Sequence, residues 1–325
     1  MRSSPTRLRR AAMALLCVAP LGAQANNAAP AQREMNFTGT LASSGPPLPR
    51  DMLIVQPYLI QTQVTGRYDV EGRRKDVDGV PEDWRLAVPI LYGITDKLTV
   101  SATLRAIYAR SLAVDRRWAS GDTTLSAQYR LFQGQGAARP TLAAGVRQNM
   151  PTGRHDQLDR HGLADATGSG AAFTLLGLYG QAYLLPERNL RARLNVHYRV
   201  PGAGVDINGR SGYGTAGNYT GRAHLGTAWQ AVAGAEYSIN PQWVLAGDVV
   251  YERENGTHLH TGTQNANGTL RRDGRRSDSW RVSVAPAIEY HPSRSVGIIG
   301  GVLVSLDGRN STELLSPQLS VMMVF

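Results

Sequence analysis

The chain has 325 residues, a formal net charge of +10, 42% hydrophobic residues and 35 glycines. Beyond the first thirty positions no run of eighteen apolar residues occurs. That excludes a transmembrane helix but not membrane-crossing strands, half of whose residues face inward.

Residues 1–25 read as a secretory signal peptide. Arg2, Arg7, Arg9 and Arg10 precede an apolar run too short to span a membrane, and Ala23-Gln24-Ala25 matches small-x-small cleavage. The single Cys17 follows Leu15 and Leu16 instead of the small residues a lipoprotein signal needs. Removing the four arginines takes the charge from +10 to +6 and leaves a mature chain without cysteine. Its basic residues are scattered along strands and loops of an exported chain, so nucleic acid is not expected as a partner. Residues 26–51, rich in Ala, Pro, Gly and Ser, read as a flexible periplasmic leader that either hangs free or tucks into a pore.

From there strand signals continue to the last residue. The pattern predicts strands over 52–64, 85–94, 98–112, 121–132, 141–150 and 170–184. Six more follow over 190–200, 224–239, 242–253, 279–290, 295–306 and 313–325. Strand 190–200 shows the period most clearly. Leu190, Ala192, Leu194, Val196, Tyr198 and Val200 alternate with Arg191, Arg193, Asn195, His197 and Arg199. A period of two puts one set on an oily side and the other on a wet side. A soluble sandwich would show the same alternation, so the connections decide. Short turns near 95–97, 134–139, 186–189, 240–241 and 291–294 alternate with long polar loops over 65–84, 151–169, 201–223 and 254–278. An outer-membrane barrel places short turns in the periplasm and longer loops outside. Residues 52–325 are therefore expected to form an all-β, transmembrane, antiparallel up-and-down barrel of about twelve strands in the bacterial outer membrane. Outer-membrane lipid and lipopolysaccharide would surround it, and a monomer is favoured.

Aromatic residues recur where the apolar face of a strand ends. Trp243 and Tyr290 would mark the periplasmic girdle, and Tyr251 and Trp280 the outer one. The last strand ends in Phe325, which resembles the signal read by the barrel-assembly machinery.

The middle of the chain carries an ordered set of short motifs. Gly121-Asp122 opens one strand and Pro140 leads the next. Pro151-Thr152-Gly153 and then Gly168-Ser169-Gly170 follow. This order resembles the outer-membrane transporter family named for the meta-pathway of phenol degradation. The resemblance implies a barrel of about twelve strands that passes small compounds, often aromatic or hydrophobic. It supplies no catalytic residues.

The residues themselves point away from catalysis. His258 and His260 form a pair at strand spacing, but without a nearby cysteine or acidic cluster. His155 and His161 bracket Asp156 and Asp159 in a loop. Ser126, His197, His224 and Asp122 are candidates to face the lumen, with nothing to show that they converge. The glycine-rich stretch 209–217 has no following helix to hold a phosphate. No catalytic site, metal or cofactor is expected.

Inward charges are more informative. Arg105, Arg130, Arg147, Arg191, Arg193, His197, Arg199, Asp248, Glu252 and Arg281 are expected to line the pore. Arg85, Asp122, Glu236 and Glu289 join them on that side. Buried charges must pair or meet water. Pairing would plug the lumen, and a hydrated basic excess would favour anions. The expected function is passive uptake of a small molecule, gated by the loops or the leader. A structural or adhesive surface barrel working through its outer loops is the alternative, and a barrel enzyme a less favoured one.

Overall fold

A computed structural model describes residues 36–77, 82–109, 118–134, 140–158, 166–264 and 270–325. The expected signal peptide lies outside these residues, as do 26–35 of the leader, His161 and Asp159.

The first strand of the wall is interrupted. β1 (Leu53–Val55) and β2 (Tyr58–Tyr68) are separated at Pro57, which has no N–H for the ladder. After the two-residue β3 (Arg74–Lys75), the wall continues through β4 (Glu82–Gly93) and β5 (Leu98–Ala109). A short β6 (Trp118–Ser120) precedes β7 (Thr123–Gln133), β8 (Thr141–Met150), β9 (Phe173–Tyr183) and β10 (Leu190–Pro201). β11 (Val205–Asn208) and β12 (Thr220–His224) leave the wall, which resumes with β13 (Ala228–Ser238) and β14 (Trp243–Glu254). β15 (His258–Gln264) and β16 (Leu270–Arg275) leave it again, before β17 (Ser279–Tyr290), β18 (Val296–Arg309) and β19 (Ser311–Val324).

Every pairing is antiparallel. The wall closes where β19 meets β1 and β2, with Ile54 opposite Val324 and Leu59 opposite Leu319. Counting β1 and β2 as one strand gives a closed barrel of twelve, each at one of the twelve predicted positions. Phe325 exchanges backbone hydrogen bonds with Leu53 at this seam, 2.8 and 3.0 Å long.

The barrel is apolar outside and polar inside. Leu131, Leu178 and Leu194 are 61, 60 and 56% exposed, whereas Asn195, Glu236 and Glu289 are wholly buried. In water that arrangement would be unstable; in lipid it is the stable one. At the end with the short turns Trp243 lies opposite Tyr290, ring centroids 4.7 Å apart. Ten residues further along β14, Arg253 lies opposite Trp280. At about 3.4 Å per residue and a tilt of about 40°, that spans a band about 25 Å tall, the height of a barrel's apolar belt. The chain is a transmembrane β-barrel of the outer-membrane type.

The loops at the other end are not structureless. β11, β12, β15 and β16 form a separate four-stranded sheet. Val205, Ile207 and Ala223 pack there with Ala171, and Phe173, Tyr213, Tyr219 and Leu259 close over them. This corrects two expectations. Residues 201–223 and 254–278 are not plain loops, and His224 is not a lumenal residue at the start of a wall strand. The chain breaks at Gly226, which packs too closely against Asn255 to carry a side chain. His224 therefore belongs to β12, opposite His258 of β15.

Candidate functional site in the barrel lumen

Residues 36–50 lie inside the barrel, so over this range the leader takes the tucked arrangement of the two expected for it. The side chain of Asn36 donates to the Pro241 carbonyl in a short turn (3.1 Å), and the Thr38 N–H donates to Glu289 (2.6 Å). The segment then rises to mid-lumen. The Ala42 N–H donates to Asp248 (2.9 Å), the Ser44 N–H to Asn195 Oδ1 (2.6 Å), and Asn195 returns a bond to the Ser44 carbonyl (3.2 Å). It descends past Arg130, which donates to the Pro47 carbonyl, and past Thr99, which accepts the Leu48 N–H (2.7 Å). It leaves at Asp96, which accepts the Arg50 N–H (3.1 Å). The path is an arch in the periplasmic half of the lumen. An irregular segment tolerates this burial because the wall satisfies its backbone groups.

The wall makes room for the arch with missing side chains. A Cβ on Gly234 would lie 2.5 Å from Asp248 Oδ1 and 2.8 Å from the Ser43 hydroxyl. A Cβ on Gly297 would collide with the Thr38 hydroxyl.

The ten residues expected to line the pore all lie on the inner side, in three groups. In the first, Arg191 grips Glu236 with two bonds, 2.8 and 2.5 Å, and Arg193 approaches the same carboxylate at 3.5 Å. Arg193 also donates to Gln181 (3.1 Å) and to the Ser43 carbonyl (3.3 Å), and Arg191 stacks over the Phe37 ring at 4.3 Å. Asp248 and Arg130 hold the arch as described. Arg191 and Arg193 thus share one carboxylate, whereas Asp248 and Arg130 are held by backbone groups of the arch. A cavity of about 680 Å³ surrounds the arch, bordered by Arg105, Arg130, Arg147, Arg191 and Arg193.

The second group lies towards the long-loop end. Arg281 pairs with Glu252 (2.5 Å), and Arg199 pairs with Glu254 (2.6 Å) and bonds the Gly226 carbonyl (3.0 Å). Gln230 links His197 (3.1 Å) to Glu252 (3.3 Å). These residues border an outer cavity of about 540 Å³.

Between the two stands the third group, Arg105 and Arg147. Arg105 is held by the Asp122 carbonyl (3.0 Å) and the Thr124 hydroxyl (2.6 Å). Arg147 makes no ion pair and no hydrogen bond with any described residue. It borders the arch cavity, the outer cavity and a third of about 300 Å³ between them.

The residues of the Gly121-Asp122, Pro151-Thr152-Gly153 and Gly168-Ser169-Gly170 motifs converge behind this neck. Asp122 accepts from the Gly153 N–H (3.1 Å), the Ser169 N–H and hydroxyl (2.8 and 2.7 Å) and Asn149 (3.1 Å). The Thr152 hydroxyl donates to the Gly121 carbonyl (2.8 Å) and accepts the Thr123 N–H (2.9 Å). Gly153 lies against Gly168, where a Cβ would come within 2.7 Å of the Gly168 Cα. Gly170, which follows, takes the left-handed φ of +66°. Asp122 thus fastens the loop after Pro151 to the top of β7.

Chemistry is not assembled here. Ser126 bonds Ser101 (2.5 Å), His197 bonds Gln230, Asp122 bonds the loop and His224 stands on the outer sheet. No described group of three His, Cys, Asp or Glu residues is placed to hold a metal.

The sequence did not reveal the wall residues that receive the arch: Asn195, Thr99, Asp96 and His291. Asn195 and Thr99 fall on the lumenal side by parity and Asp96 and His291 lie in short turns, but nothing in an aperiodic leader names its partners.

No family model and no curated protein matches this chain. Among solved structures, an outer membrane channel from Pseudomonas putida F1 is similar over 86% of this chain and 97% of its own, with a TM-score of 0.65 and 17% identity. The NanC porin gives a TM-score of 0.44 at 10% identity, covering 83% of this chain and 98% of its own. The CymD monoaromatic hydrocarbon channel gives a TM-score of 0.41 at 11% identity, covering 86% of this chain and 89% of its own. The likeness to the Pseudomonas channel bears on the fold: this chain is an outer-membrane β-barrel.

Proposed function

We propose that this barrel is a passive channel for small molecules, that it favours anions, and that residues 36–50 are its gate. The observation that carries the reading is Arg147. It is a cation without a carboxylate, placed where the cavities on the two sides of the lumen meet. The other lumenal arginines of the neck and arch are already engaged, so Arg147 is the charge left for a passing solute. The motif order around Asp122 supports the finer reading of a transporter for aromatic compounds or their anions.

Reversal potentials across a salt gradient in planar bilayers test this. The wild-type barrel is expected to prefer anions, and Arg147→Glu to prefer cations. An unchanged reversal potential in that variant would remove Arg147 from the conduction path.

The separately cored outer sheet favours a second reading, a surface platform. It requires binding that depends on β11, β12, β15 and β16 and persists in a barrel that does not conduct.

A further inference from the structure

The outer edge of the apolar belt carries an ordered row of residues. Tyr198 of β10 lies opposite Trp229 of β13, Trp229 opposite Arg253 of β14, Arg253 opposite Trp280 of β17, and Trp280 opposite Arg309 of β18. Directly opposed residues in an antiparallel pair share a face. The shared face is the outer one, because Leu194 and Val249, in step with Tyr198 and Arg253, are 56 and 51% exposed to lipid. The row lies at the long-loop end, ten residues from the Trp243–Tyr290 pair at the other end.

Two features of this row need explaining. The rings belong at a membrane interface, and Tyr198 and Trp229 pack at 4.6 Å. The arginines do not have partners to justify them. Arg253 and Arg309 are both exposed, and neither makes an ion pair or hydrogen bond with a described residue. The carboxylate nearest in sequence on that face is Asp307, which is turned to its neighbour's Gly308 N–H (2.7 Å). Two guanidinium groups at a lipid boundary without a protein carboxylate are placed to take an anion from the lipid headgroups.

We propose that this row is a binding site for the phosphorylated saccharide headgroup of the outer-leaflet glycolipid. Arg253 and Arg309 stand two strands apart, about 10 Å, with Trp280 between them. That spacing offers one guanidinium fork to a phosphate at each end of a disaccharide, with an indole face against the sugar. Arginine suits this role because its fork meets a phosphate with two parallel bonds. The inference depends on the membrane barrel alone, so it stands whether or not the lumen conducts.

The test is heat stability of the refolded barrel in detergent, read as its heat-modifiable mobility on gels, with defined lipids added. Lipid A carrying both phosphates is expected to raise the wild-type unfolding temperature. Lipid A stripped of phosphate, phosphatidylglycerol and inorganic phosphate are expected not to. In the folded Arg253→Gln/Arg309→Gln double variant, apparent affinity for diphosphorylated lipid A is expected to fall at least about tenfold. Equal stabilisation by dephosphorylated lipid A or by phosphatidylglycerol would overturn the site. That comparison uses the wild-type barrel, so it decides even if the double variant fails to fold. An unchanged affinity in the folded double variant would overturn it too.

Discussion

The Asp248 carboxylate accepts the Ala42 N–H at 2.9 Å, five residues into β14 from the short-turn end. This bond fixes the top of an arch whose two legs return to the periplasmic side. A hydrogen bond to a charged group contributes about 1.5–3 kcal/mol. Asp248→Ala is therefore expected to raise the ratio of displaced to docked arch roughly tenfold or more. Single-channel open time measures this, and an unchanged open time would mean that the arch does not gate.

Gly234 provides a second route to the same state. A Val side chain there would occupy the space of Ser43 and press on Asp248. Because residue 234 faces the lumen and not the lipid, Gly234→Val is expected to leave the barrel folded while expelling the arch. Protease cleavage within 36–50 in the refolded protein, absent from the wild type, is the expected signature.

Arg191 and Glu236 make a different prediction. Their pair is buried, with side chains 9 and 0% exposed. Removing one partner strands the other charge, at about 3–5 kcal/mol, whereas removing both relieves it. Arg191→Ala is expected to destabilise the barrel strongly, and adding Glu236→Ala to restore most of the loss. Denaturant unfolding of the four variants of this cycle checks the coupling. Of the two outcomes expected for the inward charges, Arg191 and Arg193 take the paired one, with Glu236 within 3.5 Å of both.

Asp122 gathers four donors from the loop and the neighbouring β8. Asp122→Ala leaves buried donors unmet, at about 1–3 kcal/mol for each one that water does not reach. The expected result is a loop after Pro151 that exchanges its amide hydrogens faster, notably Gly153 and Ser169, with the strand amides unchanged. Equal protection in the variant would show that the loop is held by other contacts.

The wall was legible in the sequence because its chemistry repeats every second residue. Leu194 and Asn195 could be assigned to lipid and lumen from parity alone, and Trp243 and Tyr290 to one girdle from their places beside short turns. The outer sheet was not legible. β11 and β12 have only four and five residues, too few for a period to emerge from a polar, glycine-rich stretch. Their core is also borrowed from afar, from Ala171 and Leu259. The arch was hidden for another reason. Its backbone N–H groups, which any sequence carries, make the bonds to Asp248, Asn195 and Glu289. The pairing of Arg199 with Glu254 was missed as well, since Glu254 stands at the very end of β14, where the strand signal fades.

The most direct measurement is the conductance of refolded barrels in planar bilayers, comparing the chain from residue 26 with one lacking residues 36–50. The expected result is brief openings in the first, and sustained, anion-preferring conductance in the second. A barrel that inserts correctly without the arch and still passes no current would contradict the account, because the lumen would then be no path for a solute.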